Sequence, residues 1–304
     1  MASTAPRLPV GTQVVLRDLA ADHSGRPVQR GAIGRVVGDQ PDGSYAVKLS
    51  DGRTLGAARD QLSLRRAYQQ DLAVGLYSDP HQLVNDHTIY AVVVGSRAFG
   101  LSTDASDTDV RGVYVAPTAD FWSLAKPPMH VEGPEDEWFS WEVERFCELA
   151  LKANPNVLEV LWSPLVRRVT PVGQELLDIR QAFLSQLAYQ TYHGYTLSQF
   201  KKLEADLRQR GEPKWKHVMH LLRLLLSART LLRTGELAID VGDQRDALLA
   251  VRRGERSWEE VERWRLSLHR DLDDAMDGTP LPAVPNIARV DGWLRDVRLR
   301  GVPR

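Results

Sequence analysis

"VVVGSRAFGLSTDASDTDVRGVYVAP", residues 92–117, is the stretch on which the reading of the chain turns. A β-branched run meets Gly95-Ser96, a polar loop of ten residues follows, and Asp107 and Asp109 then head a second apolar run. The segment "TIYAVVVGS" is continuous rather than alternating, which predicts a strand buried on both faces. "DVRGVYVAP" predicts a second strand, stopped by Pro117. On a strand, residues two apart project from one face, so both carboxylates point the same way. They repel each other and lose hydration there unless a cation neutralises them.

Hard divalent ions with oxygen ligands, Mg²⁺ above all, meet that need. A pair of such ions lowers the pKa of an attacking hydroxyl and stabilises a leaving pyrophosphate. Gly95 lets backbone approach a phosphate closely. The Ser96 hydroxyl and the exposed N–H groups of what should be a helix start supply donors. Taken alone, Asp107 and Asp109 also fit a solvated turn, "DASDTD", with side chains bonded to nearby backbone. Strand, Gly-Ser, loop, D-x-D and a second strand in that order are much rarer than D-x-D by itself.

The chain has 304 residues, enough for two or three domains. With 43% hydrophobic and 26% charged residues it has the composition of an ordinary soluble protein. No apolar run approaches the roughly 20 residues that span a bilayer. The opening "MASTAPRLPVGTQ" lacks an apolar core of signal-peptide type, so the expected location is the cytoplasm and no membrane partner is expected. Cys147 is the only cysteine, which excludes an internal disulfide and a multi-cysteine metal site. It falls among the apolar positions of a predicted helix and reads as a buried small residue. The net charge of −1 argues against a generally basic nucleic-acid binder. Charge is segregated, however: nine Lys or Arg against three acids lie between Lys201 and Thr234, and seven acids against one Arg between His130 and Ala150. Ordinary helix faces account for such segregation, and it also suits a site holding both metal ions and a polyanion.

The fold class expected is α+β in three domains. Over residues 8–66, short alternating segments separated by "DHSGRP", "DQPDGS" and "SDGR" predict a small β-barrel of SH3 or KOW type, an interaction module by itself without chemistry. Residues 67–168 would form the central domain with a short mixed sheet, entered by a helix and loop over 67–86. Past Trp138 the periodicity becomes helical in "SWEVERFCELALKANPNVLEVLW", with a break at "NPN" where Asn154 caps a segment starting at Pro155. Residues 169–304 would be a helical domain, with Pro280, Pro282 and Pro285 marking a loop before a short last helix.

"GSRAFGLSTDASDTDVRGVYV" resembles the signature of the nucleotidyltransferase superfamily that includes DNA polymerase beta. It is closer still to one branch, the RNA repair pathway DNA polymerase beta family. The branch's G-S-x-A-[YF]-G stretch matches Gly95–Gly100, and its S-D-x-D-x-R run matches Ser106–Arg111. Its N-P followed by L-E matches Asn154-Pro155 and Leu158-Glu159. Its helix with Lys, His and Arg before T-G-E matches Lys216, His220, Arg223 and Thr234-Gly235-Glu236. The likeness spans about residues 85–265 and leaves out the N-terminal barrel.

The resemblance implies a metal-dependent transferase of nucleoside monophosphates from nucleoside triphosphates to a hydroxyl acceptor, an RNA or other nucleic acid end. Asp107 and Asp109 would bind two Mg²⁺ (or Mn²⁺) ions. Glu137, or its neighbours Asp136 and Glu135, would be the third carboxylate, where relatives more often have Asp. Gly95 and Ser96 would hold the β- and γ-phosphates. Lys216, His220 and Arg223 stand at i, i+4 and i+7 on one helix face and would meet the triphosphate, although an amphipathic helix also carries such a stripe to solvent. Arg111 would reach a phosphate or pair with Glu137, and Trp162 and Trp215 have rings able to stack on a base. Two other readings fit the same residues: nucleotidylation of a protein or small molecule, and an inactive nucleotide- or RNA-binding scaffold.

Overall fold

The structure, a computed structural model, describes residues 8–22, 24–65, 80–104, 106–211 and 213–302. Two compact units divide the chain between residues 78 and 79, with Leu124–Lys126 grouped with the first. In the first unit the strands are β1 (Gln13–Leu16), β2 (Ala20–Ala21), β3 (Pro27–Val28), β4 (Ile33–Asp39), β5 (Tyr45–Leu49), β6 (Thr54–Ala57) and β7 (Leu62–Leu64). Five of them form one antiparallel sheet in the order β6-β5-β4-β1-β7, and β2 pairs with β3. The period-2 pattern sets the faces: Val36, Val47, Leu55 and Leu62 are buried in a core of the unit's own, while Arg35 and Lys48 point out.

The expected helix and loop over 67–86 lies outside the described residues as far as 79. From there the second unit opens with helix α1 (Pro80–His87), and β8 (Thr88–Val93) follows directly. Ala91 and Val92 are fully buried, as a strand with apolar side chains on both faces requires. β8 is flanked by β9 (Val110–Tyr114) and, in antiparallel pairing, by β12 (Val166–Val169). Beyond β9 come β11 (Trp138–Glu142), parallel to it, and β10 (His130–Glu132), giving the order β10-β11-β9-β8-β12.

Two strands depart from the sequence reading. Residues 138–142 were predicted as the approach to a helix and form β11. Phe139 and Trp141 alternate with Trp138, Ser140 and Glu142 for only five residues before helical spacing takes over at Val143. β12, "VRRV", is exposed throughout, an edge strand whose charges hide it in sequence.

The helices of this unit are α2 (Val143–Leu151), α3 (Pro155–Trp162), α4 (Pro171–Asp178), α5 (Leu187–Arg210), α6 (Trp215–Thr234), α7 (Arg245–Arg252), α8 (Trp258–Met276) and α9 (Ile287–Arg300). As the sequence reading has it, the Asn154 side chain caps α3 by accepting from the Asn156 N–H at 3.1 Å, with Pro155 in the first turn. Ser257 and Glu260 cap α8 reciprocally, at 3.2 and 2.8 Å. α6 runs through the middle of the helical layer against α5, α7 and α8, and its leucines are buried on nearly every side. One continuous cluster of buried apolar side chains runs from Ile89 to Val297, so the sheet and the helices share a core. α9 closes it: Arg298 grips the fully buried Glu142 carboxylate with two bonds of 2.8 Å and lies over the Phe121 ring. Cys147 is buried here and its thiol pKa is raised by that burial, in agreement with the inert reading. No helix among the described residues is long and apolar enough to cross a membrane.

His269 in α8 is 7% exposed and neither ring nitrogen has a hydrogen-bond partner among the described residues. Burial, with His193 and Arg265 adding to it against Asp273, pushes its pKa down to about 4. A depressed histidine pKa favours folding above its unfolded value near 6.5, and that contribution is lost as pH falls towards 4. Thermal melts across that window should show falling stability, and His269→Leu should flatten the dependence.

Candidate active site

β8 delivers the chain into a turn at residues 95–100. The Phe99 N–H bonds the Gly95 carbonyl at 3.1 Å and the Leu101 N–H bonds the Ser96 carbonyl at 2.8 Å. This is one isolated turn rather than the helix start expected, because Gly95 and Gly100 both stand at positive φ, +73° and +71°. Gly95 is also needed for space: a Cβ there would lie 2.7 Å from Asp109 Oδ2. The Val94 N–H donates to the Asp109 carbonyl at 2.9 Å, so the turn and the D-x-D segment are in direct register. Arg97 braces the intervening loop by donating to the carbonyls of Ser106 (2.9 Å) and Asp107 (3.3 Å).

Above these residues opens a cleft of about 720 Å³, within the range of a nucleotide-sized ligand. Gly95, Ser96, Asp107, Asp109, Arg111, Lys216, His220 and Arg223 all line it, so eight of the residues singled out in the sequence converge. Lys214, His217 and Arg252 add basic residues to the lining, and Phe139 and Trp141 add aromatic ones; the sequence reading missed these five. Lys214 and His217 flank the recognised Lys216 and were legible in principle, whereas Arg252 comes from a distant helix. Trp162 and Trp215 do not line the cleft; Arg180 lies over the Trp162 ring, and Trp215 packs against the core.

The three residues of the α6 stripe differ in depth. Lys216 is exposed and free to meet an anion. His220 has its pKa pushed down to about 3, first by burial and then by Arg223 and His217, so it faces the cleft as a neutral ring at neutral pH. Arg223 is 1% exposed and committed to a carboxylate: Nη1 donates to Glu159 Oε1 at 2.7 Å. Its guanidinium also lies over the Phe99 ring, 3.7 Å from the centroid, and Phe99 belongs to the 95–100 turn. The sequence reading assigned Arg223 to the triphosphate; in the structure it lines the cleft from a buried position, bound to Glu159 and packed under Phe99. Nε and Nη2 have no hydrogen-bond partner among the described residues.

Glu137 is placed beside the cleft rather than in it. It lines a neighbouring depression with Asp107, Thr108, Glu135, Asp136 and Arg167. Its backbone is left-handed, φ 59°, and its carbonyl accepts from the Val110 N–H at 2.9 Å and Arg111 Nη1 at 3.2 Å. Arg111 also approaches Asp109 to 3.7 Å. No group of three or more His, Cys, Asp or Glu side chains converges on a metal position among the described residues. Two carboxylates at the cleft, with Asp107 shared between both depressions, nonetheless match the oxygen donors that hard divalent ions take.

A carboxylate pair just ahead of a strand, set against a Gly-Ser turn on a short mixed sheet backed by helices, is the arrangement of the polymerase-beta type of nucleotidyltransferase fold. The chain belongs to the RNA repair pathway DNA polymerase beta family, whose model matches residues 65–296. An uncharacterized protein, YcgL of Bacillus subtilis (strain 168), is 29% identical over 154 residues, which are 49% of this chain and 58% of YcgL. The match thus takes in less than two thirds of that relative's length. Among solved structures, spectinomycin adenyltransferase of Enterococcus faecialis, with ATP and spectinomycin, is 11% identical and aligns over 77% of this chain and 98% of its own, with a TM-score of 0.30.

Breaking one side of the Arg223–Glu159 pair strands a buried charge, at a cost of about 3–5 kcal/mol. Urea denaturation of Arg223→Met should show a loss of that order. Arg223→Met combined with Glu159→Leu should recover most of it.

Proposed function

We propose that the protein is a divalent-metal-dependent nucleotidyltransferase that moves a nucleoside monophosphate from a nucleoside triphosphate to a hydroxyl acceptor. The observation that carries this reading is the packing of Gly95 directly onto Asp109 inside a cleft with one basic wall. Family membership supports nucleotidyl transfer. The acceptor suggested by the family's description is an RNA end; a protein or small molecule is the alternative.

Gly95 and Ser96 hold the β- and γ-phosphates, and Lys214, Lys216 and Arg252 neutralise their charge from the opposite side. Asp107 and Asp109 would hold the two Mg²⁺ (or Mn²⁺) ions, and Glu137, which shares a depression with Asp107, would be the third carboxylate. When bound, the ions offset phosphate charge and acidify the acceptor hydroxyl. The acceptor oxygen bonds to the α-phosphorus as the bridging P–O bond to the β-phosphate breaks. Pyrophosphate leaves with that electron pair, and the hydroxyl proton passes to solvent. Catalysis of this kind rests on positioning and electrostatics. Arg223 contributes to positioning by setting the turn through Phe99.

Calorimetry with each of the four nucleoside triphosphates should show binding that requires Mg²⁺. Labelled nucleotide should move to an acceptor within a panel of RNA, proteins and small hydroxyl compounds, and Asp109→Ala should abolish transfer. Absence of metal-dependent binding for all four would defeat the proposal in favour of a scaffold role. Gly95→Ala, which strains the backbone and drives a methyl into Asp109, should weaken nucleotide binding about tenfold or more with the circular dichroism spectrum unchanged.

A further inference from the structure

The Asp109 carboxylate has Gly95 close on one side and Arg111 on another. Arg111 Nη2 stands 3.7 Å from Asp109 Oδ1, and Arg111 also lines the cleft. It is the one cation ion-paired with Asp107 or Asp109 among the described residues. Its place is set from the backbone. Nη1 donates to the Val110 carbonyl at 2.8 Å and to the Glu137 carbonyl at 3.2 Å. The Glu137 carbonyl also takes the Val110 N–H at 2.9 Å, where β9 and β11 begin to pair. Arg111 is therefore anchored at the start of two strands while its second terminal nitrogen faces a carboxylate.

The charge is as fixed as the place, because an arginine keeps its proton in a protein. The pair itself is loose. Its separation is longer than a hydrogen bond, and the two side chains are 28% and 32% exposed. A pair of that kind adds little to stability. Its effect falls instead on any other cation that seeks Asp109. A dication bound through this carboxylate meets the guanidinium's repulsion at short range. A triphosphate bound in the same cleft offsets that repulsion, since its negative charge attracts both cations.

We propose that Arg111 is a built-in counter-ion of Asp109 that couples divalent-metal binding to triphosphate binding. It opposes a metal ion offered alone and ceases to oppose one offered together with a triphosphate. The proposal rests on the nucleotidyl-transfer reading and adds to it the residue that regulates loading of the site. Such coupling is reciprocal: the residue that makes metal affinity depend on triphosphate makes triphosphate affinity depend on metal by the same factor. A neutral side chain at position 111 leaves Asp107 and Asp109 as an ordinary acidic pair, open to any dication that diffuses in. The sequence left Arg111 between a phosphate and Glu137; the structure gives it the Glu137 carbonyl and the Asp109 carboxylate.

The probe is Mn²⁺, its free concentration read by electron paramagnetic resonance on the full chain without nucleotide. Arg111→Gln should bind Mn²⁺ about tenfold more tightly than wild type, as loss of a unit charge at this range implies. Arg111→Met is a second neutral variant with the same expectation, and circular dichroism shows which variants are folded. Arg111→Lys keeps the charge and should stay within about twofold of wild type. Adding Asp109→Asn to Arg111→Gln should cancel the gain. Calorimetry of an α,β-methylene triphosphate with and without Mn²⁺ gives the coupling factor, which should be about fivefold or more smaller in Arg111→Gln than in wild type. Mn²⁺ affinity unchanged or weakened in the folded neutral variants overturns the proposal. So does an unchanged coupling factor, or a gain in Arg111→Lys as large as that in Arg111→Gln, which would assign the effect to the hold on Glu137 and not to charge. Wild-type calorimetry with triphosphate and Mg²⁺ tells the two levels apart: binding there with no gain in the neutral variants removes this proposal alone, whereas no binding removes the transferase reading beneath it.

Discussion

A guanidinium withdrawn from water has to be compensated, and the way Arg223 is compensated organises this site. Glu159 accepts its charge from α3, and the ring of Phe99 covers its face. α3 and α6 are thereby locked to each other and to the turn at 95–100. The turn is locked in its own right to Asp109, because the missing side chain of Gly95 is what lets the carboxylate approach. A contiguous series of contacts therefore runs from a helix buried in the core to the carboxylates at the mouth of the cleft. Buried ion pairs are poor sources of net stability; what this one supplies is a fixed position for a backbone segment that has no helix of its own.

The sheet order then gives the cleft its two sides. Lys216 of α6, Lys214 just before it and Arg252 of α7 line the cleft with the Gly-Ser turn, while the far flank of β9 is aromatic and acidic. A neutral His220 between them carries no charge that would blur this division.

Which parts of this were legible follows from the range of the interactions. Gly95-Ser96 and the D-x-D pair could be read because strand periodicity and a sharp turn are local properties. The burial of Arg223 was not legible because a stripe at i, i+4 and i+7 reports a direction and says nothing about depth; its carboxylate partner is 64 residues away. β11 was taken into the helix after it because five alternating residues give too short a signal against nine helical ones. The wall formed by Phe139 and Trp141 was hidden for the same reason. Glu137 was placed from its spacing to Trp141, and that spacing could not show the left-handed backbone that directs it to the adjoining depression.

Gly100 and its neighbours are held from far along the chain. The Val241 N–H bonds the Phe99 carbonyl at 3.1 Å, Arg245 Nε bonds the Gly100 carbonyl at 2.8 Å, and Arg298 secures the end of β11 from 156 residues away. On a ribosome that emits about 5–20 residues per second, the segments that carry the acids emerge well before the helices that fix them. A chain made only as far as β11 thus bears these acidic residues without the later helices that hold their surroundings in place.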